Sequence, residues 1–213
     1  MKRPRILLAD DHQMVAEGLK DLLSDEFEVV GLASDGRALV EAAARLLPDV
    51  IVADITMPHL NGIEAMVELK KHVPRAKIVF LTMHQDTAYA SRALEAGASG
   101  YVLKHSAATE LVAAIRAALQ NHTFITPSLA GAVLDAARRG VPAAEDPFKS
   151  LTHRQREILQ LLAEGLSAKE IGKQLGISAR TVEFHKYRMM ELLHLSNSAE
   201  LIHFAIKSGI ASI

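Results

Sequence analysis

The 213-residue sequence contains no cysteine, so disulfides and thiolate metal sites are excluded. No apolar run approaches the roughly 20 residues that a membrane-spanning helix needs. The opening Met1-Lys2-Arg3-Pro4-Arg5 is basic but lacks the apolar segment of a secretory signal. These absences give the expectation of a cytoplasmic protein with no membrane partner. The ten histidines form no His-x-x-x-His pair or other pattern suited to zinc. Net charge is nearly absent too, at −1, but it is unevenly spread. Residues 1–120 carry 13 Lys+Arg against 16 Asp+Glu, residues 121–147 carry 2 against 3, and residues 148–213 carry 9 against 6. An acidic front and a basic back point to different partners for the two halves.

With 49% apolar residues the chain can build a core. Its first half alternates two patterns. Arg5 to Ala9, Phe27 to Ala33, Val50 to Ala53, Ile78 to Leu81 and Gly100 to Leu103 are short apolar runs. Between and after them, apolar residues recur at helical spacing, as in Val15, Leu19, Leu22 and Leu23, and again in Leu111, Ile115 and Leu119. Near-continuous apolar strands are buried on both faces, as in a parallel sheet covered by helices. The fold expected is α/β: a five-stranded doubly wound parallel sheet over residues 1–121. Residues 122–147 read as a linker with a helix over Pro127 to Arg139, followed by the Gly/Pro/acid stretch GVPAAEDP. Residues 148–213 show no strand pattern. Thr152 with Gln155, and Ser167 with Glu170, read as capping boxes. Gly165 and Gly176 stop the first two helices, Ser178 opens a third, and a fourth spans about Ser198 to Lys207. The second unit is therefore a small all-α domain.

In an open α/β sheet the ligand site lies beyond the carboxyl ends of the strands. The polar residues there are Asp10, Asp11, Asp54, Thr82 and Lys104. Each alone has a plain reading: a capping pair, a strand-end carboxylate, a surface lysine, with Tyr101 a core residue. Together, at one sheet edge, they place three carboxylates where a hard dication such as Mg²⁺ would balance them. A carboxylate facing that cleft is a candidate nucleophile for phosphoryl transfer. A lysine ammonium and a threonine hydroxyl nearby can stabilise the transferred group.

Asp10-Asp11, Asp54 followed by Met57-Pro58, Thr82, and Tyr101-Val102-Leu103-Lys104 together resemble the flavodoxin-like receiver domain of two-component response regulators. The resemblance implies that Asp54 is the phosphoacceptor. It implies Mg²⁺ held by Asp11, Asp54 and the Thr56 backbone carbonyl, with Asp10 acting mostly through water. Thr82 and Tyr101 would be the switch pair, and Lys104 the phosphoryl-binding cation. His105 departs from the family, where proline often follows the lysine with a cis peptide.

Ser167 to Ser178 reads as helix, tight turn, helix, with Ser178 opening a third helix that presents Arg180, Thr181, Glu183, Phe184, Lys186, Tyr187 and Arg188. Val182, His185 and Met189 share its approximate inner stripe, with His185 near the edge. Such a helix-turn-helix suits the major groove, with basic residues on phosphates and residues near the helix start on base edges. Leu151-Thr152-His153-Arg154-Gln155-Arg156-Glu157, Ala163 to Ser167 and Thr181-Val182-Glu183-Phe184-His185 resemble a LuxR-type DNA-binding domain. The whole chain thus resembles a NarL/FixJ-type regulator. That implies a transcription regulator, not an enzyme, which receives phosphate from a sensor histidine kinase and binds double-stranded DNA. The DNA contacts expected are Lys169, Arg180, Thr181, Glu183, Lys186 and Arg188. Gln155, Ala168, Gly172, Glu183 and Leu192 depart from the common residues, and Glu183 could accept from a cytosine amino group.

Leu201, Ile202, Ala205 and Ile206 form an apolar stripe on the last helix, which suggests a homodimer when phosphorylated. RNA polymerase is a further candidate partner. Two rival readings remain in view. One is a receiver joined to a protein-binding module. The other is an aspartyl-phosphate phosphatase, opposed by His12 and Thr56 standing where such enzymes carry a second acid.

Overall fold

The computed structural model of the protein describes residues 2–106, 108–138 and 150–210. Five strands, β1 (Arg5–Ala9), β2 (Glu28–Ala33), β3 (Val50–Ala53), β4 (Lys77–Thr82) and β5 (Gly100–Leu103), alternate with α1 (Gln13–Leu23), α2 (Gly36–Leu46), α3 (Gly62–His72), α4 (Thr87–Glu95) and α5 (Ala108–Leu119). The apolar runs are strands because both of their faces are covered. Leu7, Ala9, Ile51, Ala53, Phe80, Tyr101 and Leu103 face the layer of α2, α3 and α4. The alternating Ile6, Leu8, Val50, Val52, Val79, Leu81 and Val102 face α5 and Leu23 of α1. Burying each such Leu, Ile or Val contributes about 1.5–3 kcal/mol.

The sheet is parallel and doubly wound, but it has six strands, not the five expected. Its order is β2-β1-β3-β4-β5-β6, with β6 (Phe124–Ile125) beside β5. Two residues are too short to show a period, so β6 leaves no sequence signal. Helix α6 (Pro127–Arg138) follows, close to the expected range. Its Leu129 and Val133 are buried in the same core as Tyr89 and Ala93 of α4. The chain beyond residue 121 therefore still packs on the sheet unit. The GVPAAEDP stretch lies outside the described residues.

The strand register sets the working edge. Ala9 pairs with Ala53, Ala53 with Phe80, and Thr82 with Leu103. Asp10 and Asp54 thus leave the sheet side by side, with Thr82 ending β4 and Lys104 following β5 at the same edge. Asn61 and Asp86 cap α3 and α4 through Glu64 N (3.0 Å) and Ala88 N (2.8 Å), which fixes the loops leaving β3 and β4. Gly62 lets α3 start against the site: a Cβ there would lie 2.2 Å from the Asp54 carbonyl oxygen.

The second unit has its own core: Leu151, Ile158, Leu159, Leu161, Ile171, Val182, Met189, Leu201, Ala205 and Ile210. Its helices are α7 (His153–Ala163), α8 (Ala168–Leu175), α9 (Ala179–Leu192) and α10 (Ser198–Lys207). Thr152 with Gln155, and Ser167 with Glu170, form complete capping boxes, and Ser178 caps α9. Gly176 ends α8 at φ 67°, a backbone region that favours glycine.

Candidate functional site

At the sheet edge, Lys104 Nζ lies 2.6 Å from Asp10 Oδ2 and 2.7 Å from Asp54 Oδ2. All three side chains are nearly enclosed, with Asp10 at 3%, Asp54 at 7% and Lys104 at 11% exposure. Burial pushes the Asp54 carboxyl above its ordinary range, and the hydrogen bond from Lys104 only partly opposes this. For Lys104, burial alone would lower the pKa, but the hydrogen bonds and charges of Asp10 and Asp54 outweigh it and hold it high. Burial thus raises the carboxyl of Asp54, while two carboxylates around one ammonium raise Lys104. Asp11 adds a third carboxylate, bonded through its Oδ1 to His12 Nδ1 at 2.9 Å. The site is short of positive charge, and its donors are oxygens, which fits a hard dication.

Around this centre, the Thr56 amide donates to Asp54 Oδ1 at 3.3 Å. Thr82 is fully buried, and its hydroxyl oxygen accepts from the His84 amide at 3.3 Å. Tyr101 is also fully buried, and its hydroxyl donates to the His84 carbonyl at 2.9 Å. Burial drives the Tyr101 hydroxyl pKa well up, so it remains a donor. The five expected receiver positions are thus brought together, with Tyr101 already inside. The Lys104–His105 peptide is trans, as are all peptides among the described residues.

His84 is the residue that sequence reading missed. Its Nε2 lies 2.7 Å from Thr56 Oγ1, and its ring stacks on Tyr89 at 4.3 Å. Burial lowers its pKa, keeping the ring neutral. Its only sequence signal is its place two residues after Thr82. His12 joins the expected pair Asp10 and Asp11 in one cluster, and a second cluster, Glu68-His153-Glu157, was missed because it is assembled from two separate helices.

In the second unit, Lys169, Arg180 and Arg188 are exposed and Thr181 and Glu183 partly so. Val182 and Met189 are buried, as the helical period requires. Lys186, expected on the outer face, has a side chain only 17% exposed, with its ammonium 2.5 Å from Glu183 Oε2. Arg188 pairs with Glu191 at 2.6 Å. The side chains standing clear of α9 are instead aromatic: Phe184 at 65% and Tyr187 at 63% exposure. Gly172, where alanine is common, meets the turn closely: a Cβ there would lie 2.7 Å from the Ile177 carbonyl oxygen.

The two units touch through polar groups whose pairing has no local sequence signal. Glu64 of α3, only 1% exposed, accepts from Arg156 Nε at 2.5 Å and bonds His153 Nδ1. Arg37 of α2 lies between Glu68 and Glu157. The hydrogen bond to Glu64 holds His153 above its ordinary pKa, with Glu157 and Glu68 adding to it. The groups facing His153 are therefore Glu64, Glu68 and Glu157, with Arg37 and Arg156 on the same carboxylates. A raised histidine contributes stability below about pH 6.5 and loses it as pH rises through the folded-state value. Wild type should accordingly unfold at a higher temperature than His153→Gln at pH 6, and the gap should close by pH 9. A gap that widens with pH would refute the assignment.

A three-layer parallel α/β unit with an acid-lysine cluster at its carboxyl edge, followed by a helix-turn-helix module, defines a receiver joined to a DNA-binding domain. Residues 6–116 match the response regulator receiver domain, and residues 149–205 match the LuxR family of bacterial regulatory proteins. The oxygen regulatory protein NreC of Staphylococcus carnosus is 35% identical over 97% of this chain and 98% of its own. The transcriptional regulatory protein DegU of Brevibacillus brevis is 34% identical over 96% and 94%. Among solved structures, RcsB of Salmonella enterica serovar Typhimurium, bound to promoter P1flhDC with the phosphomimetic BeF3-, matches the full length of both chains at 28% identity and TM-score 0.64. The chain belongs to the two-component response regulators that carry a LuxR-type DNA-binding domain. It is a transcription regulator of the NarL/FixJ type and not an enzyme.

Proposed function

We propose that Asp54 accepts a phosphoryl group from the phosphohistidine of a sensor kinase, and that this state controls binding of α9 to double-stranded DNA. The observation that carries the reading is the Lys104 ammonium held between Asp10 and Asp54. In the transfer, an Asp54 carboxylate oxygen forms the new P–O bond as the donor's P–N bond breaks. Lys104 neutralises charge on the arriving group, and the buried Thr82 hydroxyl is placed to turn toward it. Mg²⁺ would be held by Asp10, Asp11, Asp54 and the Thr56 carbonyl, and it supplies charge neutralisation on the phosphoryl oxygens.

The division expected from the sequence, a receiver over 1–121, a linker with a helix over 122–147 and a DNA-binding unit over 148–213, is modified at the first boundary, since β6 and α6 pack on the receiver sheet. None of the described helices is long and apolar enough to cross a membrane, which agrees with a cytoplasmic setting. A homodimer is the expected phosphorylated form, by analogy with the two RcsB dimers bound to two parallel DNAs. The stripe on α10 supplies less of that interface than its sequence suggests. Leu201 and Ala205 are buried inside the module, while Ile202 and Ile206 are partly exposed. RNA polymerase stays a candidate partner on functional grounds.

The acceptor reading is tested with a small-molecule phosphodonor and Mg²⁺: one phosphate per chain is expected, and no uptake overturns the reading. On the DNA side, Arg180→Ala should weaken binding to all sequences and flatten the log K versus log salt slope by about 0.9. Glu183→Ala should relax preference at one base pair, worth about 1–3 kcal/mol, and free Lys186 for a phosphate. An unchanged preference would show that Glu183 faces away from the bases.

A further inference from the structure

The outer face of α9 is apolar at its centre. Among the described residues of the second unit, the large apolar side chains left exposed are Phe184, Tyr187 and Leu192, and all three stand on this helix. Phe184 and Tyr187 are three residues apart and so are neighbours on one side of it. Arg180 precedes Phe184 by four residues and Glu191 follows Tyr187 by four, which makes these side chains one row. The row lies opposite the buried Val182 and Met189. Phe184, Tyr187, Arg188 and Glu191 line an open groove there.

Pairing within the helix decides which groups are free to meet a ligand. Lys186 Nζ lies 2.5 Å from Glu183 Oε2 and 5.3 Å from the centre of the Tyr187 ring. One ammonium thus holds the carboxylate and steadies the tyrosine. Arg188 is engaged by Glu191. The Phe184 ring meets the His185 ring edge to face, with centroids 5.9 Å apart, a contact that restricts it without covering it. Phe184 is therefore the preset side chain at the middle of the row, and it has no donor or acceptor of its own.

An exposed phenyl ring among charged neighbours calls for an apolar counterpart. Its surroundings favour DNA over a protein. Arg180 stands one turn before it, and residues 148–213 carry 9 Lys+Arg against 6 Asp+Glu. Two rings fall far short of the roughly 800 Å² per partner that a stable protein interface covers. A helix lying in the major groove turns its outer row toward the base edges. Those edges present donors and acceptors and one apolar group, the C5-methyl of thymine. A phenyl ring laid on a donor or acceptor strips its water and returns no hydrogen bond. Laid on a methyl, it buries apolar surface on both sides.

We infer that Phe184 selects thymine: its ring packs on the C5-methyl group of a thymine in the major groove, with Tyr187 completing the apolar contact. The inference rests on α9 as the DNA-binding helix. It assigns discrimination to an uncharged residue beside Glu183, whose carboxylate enters the groove already paired with Lys186.

The test uses the full chain and uracil, which keeps every hydrogen-bonding group of thymine and lacks the methyl. A duplex enriched from a random-sequence library by phosphodonor-treated wild type is titrated at fixed salt, with each thymine replaced in turn by uracil. At one or two positions wild type should lose about threefold to fivefold in affinity, the worth of one buried methyl. In Phe184→Ala the same replacements should cost nothing, because the contact is already gone. Phe184→Leu keeps an apolar side chain and should retain part of the penalty. Phe184 is exposed, so both variants should fold, which circular dichroism checks. Indifference of wild type to uracil at every position, or an enriched duplex without thymine, overturns the assignment. An equal uracil penalty in Phe184→Ala overturns it too, and gives the methyl to another residue. Undiminished affinity with unchanged sequence preference in Phe184→Ala would leave the ring to a protein partner instead. If wild type enriches no duplex, the DNA-binding reading of α9 fails, and the thymine contact fails with it.

Discussion

Replacing Asp54 with asparagine should abolish phosphoryl uptake altogether, and chelating Mg²⁺ should do the same to wild type. The asparagine amide has no carboxylate to attack phosphorus. It also leaves Lys104 with Asp10 as its only carboxylate partner of the two within 2.7 Å. The substitution is nearly isosteric, and it removes a carboxyl whose ionised form burial disfavours, so the fold should survive. Chelation acts by a different route. The carboxylates of Asp10 and Asp54 share the Lys104 ammonium and Asp11 adds a third acid beside them, so without further positive charge an incoming phosphoryl dianion meets net repulsion. Label and tandem mass spectrometry after phosphodonor treatment checks both results. Stable acyl phosphate on Asp10 or Asp11 in Asp54→Asn would move the acceptor, and full uptake under chelation would remove the metal.

The second large effect is structural. Gly62→Ala should destabilise the receiver by about 1–3 kcal/mol and impair uptake beyond what lost stability explains. The new Cβ would lie 2.2 Å from the Asp54 carbonyl and 2.9 Å from the Phe80 ring. Neither the backbone of the acceptor nor a fully buried ring yields cheaply. The start of α3 must lift away, taking Asn61, Glu64 and the loop that carries Thr56 with it. Gly18→Ala, which meets nothing within 4 Å, is the matched control and should be neutral or slightly stabilising. Denaturant titration and phosphoryl uptake on both variants check this. An unperturbed Gly62→Ala would mean that α3 is free to move from the acceptor.

The carboxyl edge of the sheet was legible because each apolar run ends where a polar residue leaves the sheet. Val50 to Ala53 is buried throughout, so Asp54 must stand at its end, and the same holds for Thr82 and Lys104. The capping boxes at Thr152 and Ser167 were legible for a similar reason: both partners lie within one turn. What sequence could not show depends on pairing across long separations. In α7, Ile158, Leu159 and Leu161 mark the core, while nothing local marks Gln160 and Glu157, yet both are buried and bonded to the receiver through Met57 and Arg37. No local period announces a second unit on that face. His84 was hidden because its surroundings come from three neighbours far apart in sequence, Thr56 of the β3–α3 loop, Tyr89 of α4 and Tyr101 of β5. Nor does the helical position of Lys186 announce Glu183, one turn back, reaching over to hold it. Strand β6 was missed through brevity, and the sixth strand changes where the receiver ends more than what it does.

The central claim is that the phosphorylation state of Asp54 sets DNA affinity. It is tested most directly by titrating one DNA fragment that the protein binds with wild type and with Asp54→Asn, each with and without phosphodonor, at fixed salt. Wild type should bind on the order of tenfold more tightly after treatment, a coupling of about 1–3 kcal/mol, while Asp54→Asn should show the same weak binding in both conditions. Equal affinity for treated and untreated wild type, with Asp54 confirmed as phosphorylated, would contradict the claim.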